Sequence, residues 1–194
     1  MGTGKSTLAL ALQHELGWNS FSSDTVRKQL AHIDAAQPLA DAFGQGVYTL
    51  DWTARTYDAL RMKAGEALAL GRSVLLDASF IHSEHRQMMA QEARTRGATV
   101  LFVECVCPRE VVLKRLATRW NERIKGRSGT DEETSHVSDG RPDLYDAQRA
   151  QWNNVASEEA REMRHLVVET TLPLAINVEH VLEALHIPHF ACSL

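Results

Sequence analysis

Met1-Gly2-Thr3-Gly4-Lys5-Ser6-Thr7 is the stretch on which the reading of this chain turns. It carries most of a G-x-x-x-x-G-K-[ST] loop, the turn between a strand and a helix that wraps the phosphates of a nucleotide. Glycines let backbone N–H groups turn inward toward phosphate oxygens without a Cβ in the way. The helix that follows adds free N–H groups and the positive end of its dipole. In such a loop Gly2, Thr3, Gly4, Lys5, Ser6 and Thr7 hold the nucleotide. Lys5 reaches the β- and γ-phosphates, the Ser6 hydroxyl ligates Mg²⁺, and Thr7 touches the α-phosphate. Ser6 to Leu16 reads as the helix, with Leu8, Ala9, Leu12 and Leu16 in an apolar stripe and Gly17 as its stop. The plainer alternative is a Gly-rich tail before an ordinary amphipathic helix. Counting back from Gly4, the first motif glycine falls two residues before Met1, and the strand that feeds the loop falls before it too. The expectation is therefore an N-terminally truncated piece whose first central strand is missing.

Bulk properties narrow the field. A chain of 194 residues with 44% hydrophobic and 24% charged residues suits one soluble domain, taken as residues 1–194. The net charge of −4 gives no general push toward nucleic acid or anionic membrane. No apolar run approaches membrane-spanning length, so a cytoplasmic protein is expected. The cysteines Cys105, Cys107 and Cys192 fit reduced thiols better than a disulfide frame or a zinc site.

Strand-like and helix-like segments alternate along the chain. Trp18 to Ser22 is a possible strand, followed by a helix Thr25 to Ile33 with Asp24 as its cap. Asp51 caps a long helix to Leu70, Ser73 to Asp77 is an apolar strand, and Ser83 caps a helix to Arg96. Thr99 to Val106 is a strand, Pro108 opens a helix to about Arg123, and Pro142 opens another to about Met163. Leu166 to Glu169 is a last strand, and Asn177 caps the final helix. Such alternation predicts an α/β fold, a three-layer parallel sheet with helices on both faces, and ligands at the carboxyl ends of the strands.

Three groups of residues fall where chemistry is expected. Asp24, directly after a strand, can take a proton from a substrate hydroxyl, and Arg27 one turn on can hold substrate or phosphoryl oxygen; otherwise Asp24 is a cap and Arg27 a surface residue. Asp77 ends an apolar strand, the usual place of the acid near Mg²⁺ in phosphate-loop proteins; otherwise it begins a turn. Arg86, one turn into the next helix, leans toward a structural role. Arg115, Arg119 and Arg123 are spaced to share one helix face, and from Arg109 to Arg127 there are seven basic and two acidic residues. A basic helix beside the polar stretch 126–140 reads as a lid over about residues 115–141, or as a solvated face beside a connection. His82 and His85 are too sparse for a metal site, and the four tryptophans are too scattered for a base-stacking platform.

Taken together, G-x-G-K-S-T, S-S-D-x-x-R, L-L-D-A-S-F, E-C-x-C-P with R-x-x-x-R, and V-S-D-G-R resemble the small kinases of the zeta-toxin and polynucleotide-kinase-like P-loop superfamily, AAA-type ATP-binding proteins. The likeness is nearest to the kinase-like domain that in some bacterial proteins follows an aminoglycoside-phosphotransferase-like domain, and it runs from Gly2 to about Pro173. It implies ATP and Mg²⁺ as cofactors, Asp24 as general base, Arg27 as a substrate or phosphate ligand, Asp77 as an acid near the metal, and Arg115 and Arg119 as lid arginines. Ser138 to Arg141 would lie on the lid's return. It also implies a small-molecule hydroxyl as acceptor and a fused N-terminal domain in the full-length protein. A polynucleotide 5′-hydroxyl kinase is the second reading, with the acidic balance against it. An ATP-binding module without turnover is the third. Residues 34–58, with Phe43, Tyr48, Trp52, Arg55 and Tyr57, would shape the acceptor pocket.

Overall fold

The structure is a computed structural model, and it describes residues 1–34, 45–124, 142–156, 159 and 163–186. Seven α-helices and four strands alternate among these residues: α1 (Lys5–Leu16), β1 (Asn19–Ser22), α2 (Ser23–Leu30), α3 (Leu50–Ala69), β2 (Val74–Asp77), α4 (Ser83–Thr95), β3 (Leu101–Val106), α5 (Arg109–Ile124), α6 (Tyr145–Ala150), β4 (Arg164–Glu169) and α7 (Leu174–Leu185).

The strands form two parallel pairs. β1 lies beside β2 with Asn19 opposite Val74 and Ser22 opposite Asp77, and β3 lies beside β4 with Leu101 opposite Arg164 and Val106 opposite Glu169. Among the described residues β2 and β3 share no ladder. A cavity of about 680 Å³ separates them, lined by Leu75, Leu76, Leu101, Val103 and Cys105. Apolar strand residues that a fully packed parallel sheet would bury are therefore only half-buried here.

Helices cover both faces. On one, Leu8 and Leu12 of α1 meet Val181 and Leu182 of α7 and Val168 of β4. On the other, Val26 of α2, Tyr57 and Leu60 of α3 and Met89 of α4 close over Phe80. A third cluster, Val112 and Leu116 of α5 with Tyr145 of α6, packs under Met1. Burial of each large apolar side chain stabilises the fold by about 1.5–3 kcal/mol.

Helix ends depart from the sequence reading in instructive ways. Asp24 does not cap α2: Ser22 holds the extended cap position, and Asp24 lies inside the first turn. Thr49, not Asp51, caps α3 by accepting the Trp52 N–H at 3.4 Å. His82, not Ser83, precedes α4. Asn177 lies in the first turn of α7, where its Nδ2 donates to the Glu169 carbonyl at 3.2 Å, while Pro173 holds the cap. Of the helix expected from Pro142 to Met163, the described residues hold a short 3₁₀ turn and then α6, which stops at Ala150, with Glu159 helical again further on. α6 stops because tertiary bonds take over: the Asn153 N–H donates to the Ile81 carbonyl at 2.9 Å, and Arg86 reaches the Asn154 carbonyl at 3.4 Å.

Candidate active site

The phosphate-loop residues turn on glycine. Gly2 and Gly4 have φ of 72° and 89°, in the left-handed region that favours glycine. A Cβ at Gly2 would come within 2.7 Å of Val112, so α5 approaches the loop too closely for a side chain there. The Gly4 carbonyl accepts the Leu8 N–H at 3.0 Å and so starts α1, with Lys5, Ser6 and Thr7 in its first turn. Thr7 is exposed, and the others are half-buried.

β2 ends beside this loop, and the Lys5 Nζ lies 3.3 Å from Asp77 Oδ1. The charges attract at that distance, but the geometry is not that of a hydrogen bond, and Asp77 Oδ1 is buried without a hydrogen-bond partner. Lys5 also donates to the Ser6 hydroxyl at 3.4 Å. Burial pulls the lysine pKa down, but the carboxylates of Asp77 and Asp24 outweigh it and the net shift is upward. Lys5 is therefore a fixed cation facing two acids. Ser6 and Asp77 offer hard oxygen donors, and the orphaned Asp77 oxygen fits a divalent cation such as Mg²⁺. Among the described residues no three His, Cys, Asp or Glu gather as a metal site. Such an ion would complete its shell with phosphate and water oxygens.

Asp24 and Arg27 both lie on α2. Asp24 is half-buried and acts electrostatically on Lys5. Arg27 is buried, not a solvated surface residue. Its Nη1 donates to the Val47 carbonyl at 2.9 Å, its guanidinium lies 5.0 Å from the centre of the Tyr48 ring, and its Nε has no hydrogen-bond partner. Nearby, Phe80 has φ of 43°, a strained conformation for a bulky residue. It is held there by its N–H donating to the Tyr57 hydroxyl at 2.9 Å and by its carbonyl accepting from Arg86 at 2.9 Å. His85 stacks on Tyr57 at 3.8 Å, and burial with the neighbouring His82 lowers its pKa, so it is a neutral packing residue.

Arg115 and Arg119 are half-buried on α5. Arg115 meets the end of β4: its Nη1 donates to the Thr170 hydroxyl at 3.0 Å and lies 3.5 Å from the Cys107 sulfur, and its Nη2 donates to the Thr170 carbonyl at 2.7 Å. Burial, with Lys5 and then Arg119 adding positive charge nearby, lowers the pKa of the Met1 amino group to about 5. Residues 125–141 of the expected lid, with Ser138 to Arg141, lie outside the described residues, as do Phe43 and Cys192. Cys105 and Cys107 are free thiols, and burial pushes the Cys105 thiol up to about 11. Thr170 and Glu159 enter the structure without having been singled out in the sequence. Thr170 directly follows β4, so the strand-end rule that flags Asp24 and Asp77 could have found it.

Comparison with known proteins agrees with this fold. The family model described as AAA domain matches residues 1–141. A gluconokinase from Sinorhizobium meliloti 1021 superposes with a TM-score of 0.58 at 21% identity, covering 96% of this chain and 87% of that one. A sugar kinase from Janibacter sp. HTCC2649 superposes with a TM-score of 0.62 at 19% identity, covering 96% and 90%. These likenesses give the fold, that of the P-loop kinases. An uncharacterized protein of Mycobacterium tuberculosis strain H37Rv is 26% identical over 118 residues, 61% of this chain. The chain spans 24% of the length of that relative. No described helix is long and apolar enough to cross a membrane.

Proposed function

We propose, from the premise that the chain belongs to the AAA domain family, that it is an ATP-dependent phosphotransferase that moves the γ-phosphoryl group of ATP to a hydroxyl of a small molecule. The observation that carries this reading is the placing of Lys5 at the loop, 3.3 Å from a buried Asp77 oxygen that has no hydrogen bond of its own. A cation and an unsatisfied acid held together at a phosphate loop suit Mg·ATP better than they suit a structural pair.

Each residue has a task in this reading. The N–H groups of Gly2 to Thr7 and the Lys5 ammonium hold the phosphates and neutralise charge as the γ-phosphoryl moves. Ser6 and Asp77 would hold Mg²⁺, which draws charge from the phosphate oxygens. Asp24 takes the proton from the acceptor hydroxyl. Arg27 holds the acceptor, its buried Nε being the free donor. Arg119 adds positive charge on the lid side, and Arg115 keeps α5 against the loop. We propose further that the protein acts in the cytoplasm and that the kinase-like chain is one part of a longer polypeptide, whose upstream residues fill the space between β2 and β3 with a fifth strand. The 680 Å³ cavity and the greater length of the mycobacterial relative support this.

The test is phosphoryl transfer from ATP to candidate hydroxyl compounds. Asp24→Asn should lower kcat by about 10²–10⁴-fold while leaving the KM for ATP nearly unchanged. An Asp24→Asn enzyme working at the wild-type rate would remove the general base and the reading with it.

A further inference from the structure

Thr170 stands between two elements that the sequence separates widely. Its hydroxyl donates to the Thr3 carbonyl at 2.7 Å, across 167 residues. The same oxygen accepts from Arg115 Nη1 at 3.0 Å, and the Thr170 carbonyl accepts from Arg115 Nη2 at 2.7 Å. The Thr170 N–H is bonded to the Val106 carbonyl at 3.0 Å, so the residue is anchored in the continuation of the β3–β4 pair. A hydroxyl has one proton. The Val106 carbonyl also lies 3.3 Å from Oγ1, but the shorter contact, at 2.7 Å, is to Thr3.

The consequence lies in the loop's peptide groups. In a trans peptide the C=O of one residue and the N–H of the next point in opposite directions. Fixing the Thr3 carbonyl on Thr170 therefore turns the Gly4 N–H to the other side. A phosphate cradle works only if its N–H groups face the anion and its carbonyls do not. Gly4 also packs directly on Thr170: a Cβ there would meet the Thr170 Cβ at 3.1 Å. The peptide between Thr3 and Gly4 thus has a backstop of fixed position.

We propose that Thr170 is a positioning residue for the phosphate loop, and that Arg115 acts through it. Arg115 donates to the Thr170 oxygen from one side, which leaves the single hydroxyl proton for the Thr3 carbonyl. The pair sets the orientation of the Thr3–Gly4 peptide before nucleotide arrives. This rests on the reading of the loop as an ATP site, and it deepens that reading by naming what holds the loop in its binding form.

The test uses Thr170→Val, which keeps the shape and loses the hydroxyl, and Thr170→Ser, which keeps the hydroxyl. Two readouts are taken: Mg·ATP affinity by calorimetry, with Lys5→Ala as control, and hydrogen–deuterium exchange over residues 1–8 without nucleotide. Thr170→Val should weaken Mg·ATP binding about five- to tenfold, the value of one neutral hydrogen bond, and should speed exchange in the loop. Thr170→Ser should stay within about twofold of wild type on both, on the same grounds. Wild-type behaviour of Thr170→Val on both readouts overturns the proposal, and so does a Thr170→Ser loss as large as that of Val. If the wild-type chain binds no Mg·ATP, the kinase reading fails, and the exchange readout still decides whether Thr170 holds the loop. Should Thr170→Val not fold, Arg115→Lys removes the two-point hold, and unchanged loop exchange in that variant overturns the proposal.

Discussion

Two cation–carboxylate pairs flank the end of β2, and they are built in opposite ways. Arg86 is 1% exposed and meets Glu159 with two bonds of 2.9 Å. Its remaining donors reach the carbonyls of Phe80, Ile81 and Asn154, and its guanidinium lies 5.8 Å from the Phe102 ring centre and 5.4 Å from that of Trp152. Glu159 also accepts the Ala156 N–H at 3.0 Å. Lys5 and Asp77 have one contact of 3.3 Å, side chains 25% and 11% exposed, and an acid oxygen with no hydrogen bond. A satisfied pair has no capacity left for a ligand. An unsatisfied pair at a phosphate loop has that capacity, and a fold that leaves a buried oxygen unpartnered bears a cost that a bound cation removes. Satisfaction, more than burial, separates the structural pair from the functional one.

The sharpest way to break this contrast is to remove one partner of the satisfied pair. Arg86→Met should destabilise the fold by about 3–5 kcal/mol, because it leaves Glu159 buried and uncompensated. Adding Glu159→Leu should restore a large part of that loss. Urea denaturation of wild type, the single variant and the double variant measures both. Equal stability in all three would place Arg86–Glu159 outside the structural class.

A smaller effect follows from pH. The Arg86 guanidinium hydrogen-bonded to Glu159 holds its carboxyl below the ordinary glutamate range, against the opposing effect of burial. A depressed folded pKa gives stability that is present above the unfolded value of about 4.3 and is lost as pH falls through the folded one. Wild type should therefore lose stability from about pH 5 downward more steeply than the Arg86→Met/Glu159→Leu variant. Parallel acid profiles for the two would contradict the assignment. The least effect on stability belongs to Lys5→Ala, whose melting temperature should change by no more than a few degrees, since a partly exposed pair contributes at most about 1 kcal/mol.

The two pairs also differ in how they can be read from sequence. Lys5 and Asp77 are legible because their signals are local: a contiguous glycine–lysine–serine turn, and an acid ending a short apolar run. The α/β alternation is legible for the same reason, since periodicity within ten or twenty residues marks each element. Glu159 lies 73 residues from Arg86, and Thr170 lies 167 from Thr3. No periodicity links such positions, and one sequence holds no trace of their contact. The helix expected after Pro142 failed in the same way: its local pattern continues past Ala150, but Asn153 and Asn154 are claimed by Ile81 and Arg86. Asn177, a plausible cap by type, is drawn to the Glu169 carbonyl because Pro173 already closes the helix. Arg115 is legible as one of a row of basic residues on a helix and Thr170 as a strand-end position, but the contact between them is not.

The central claim is that the Lys5–Asp77 end of the loop is a nucleotide site. Calorimetry of Mg·ATP binding to this chain, to a version extended upstream of Met1, and to Lys5→Ala in each tests it directly. The account predicts binding by the wild-type loop, tightest in the extended version, and its loss in Lys5→Ala with the fold intact. Binding that survives Lys5→Ala unchanged, or no binding by either wild-type form, would contradict it.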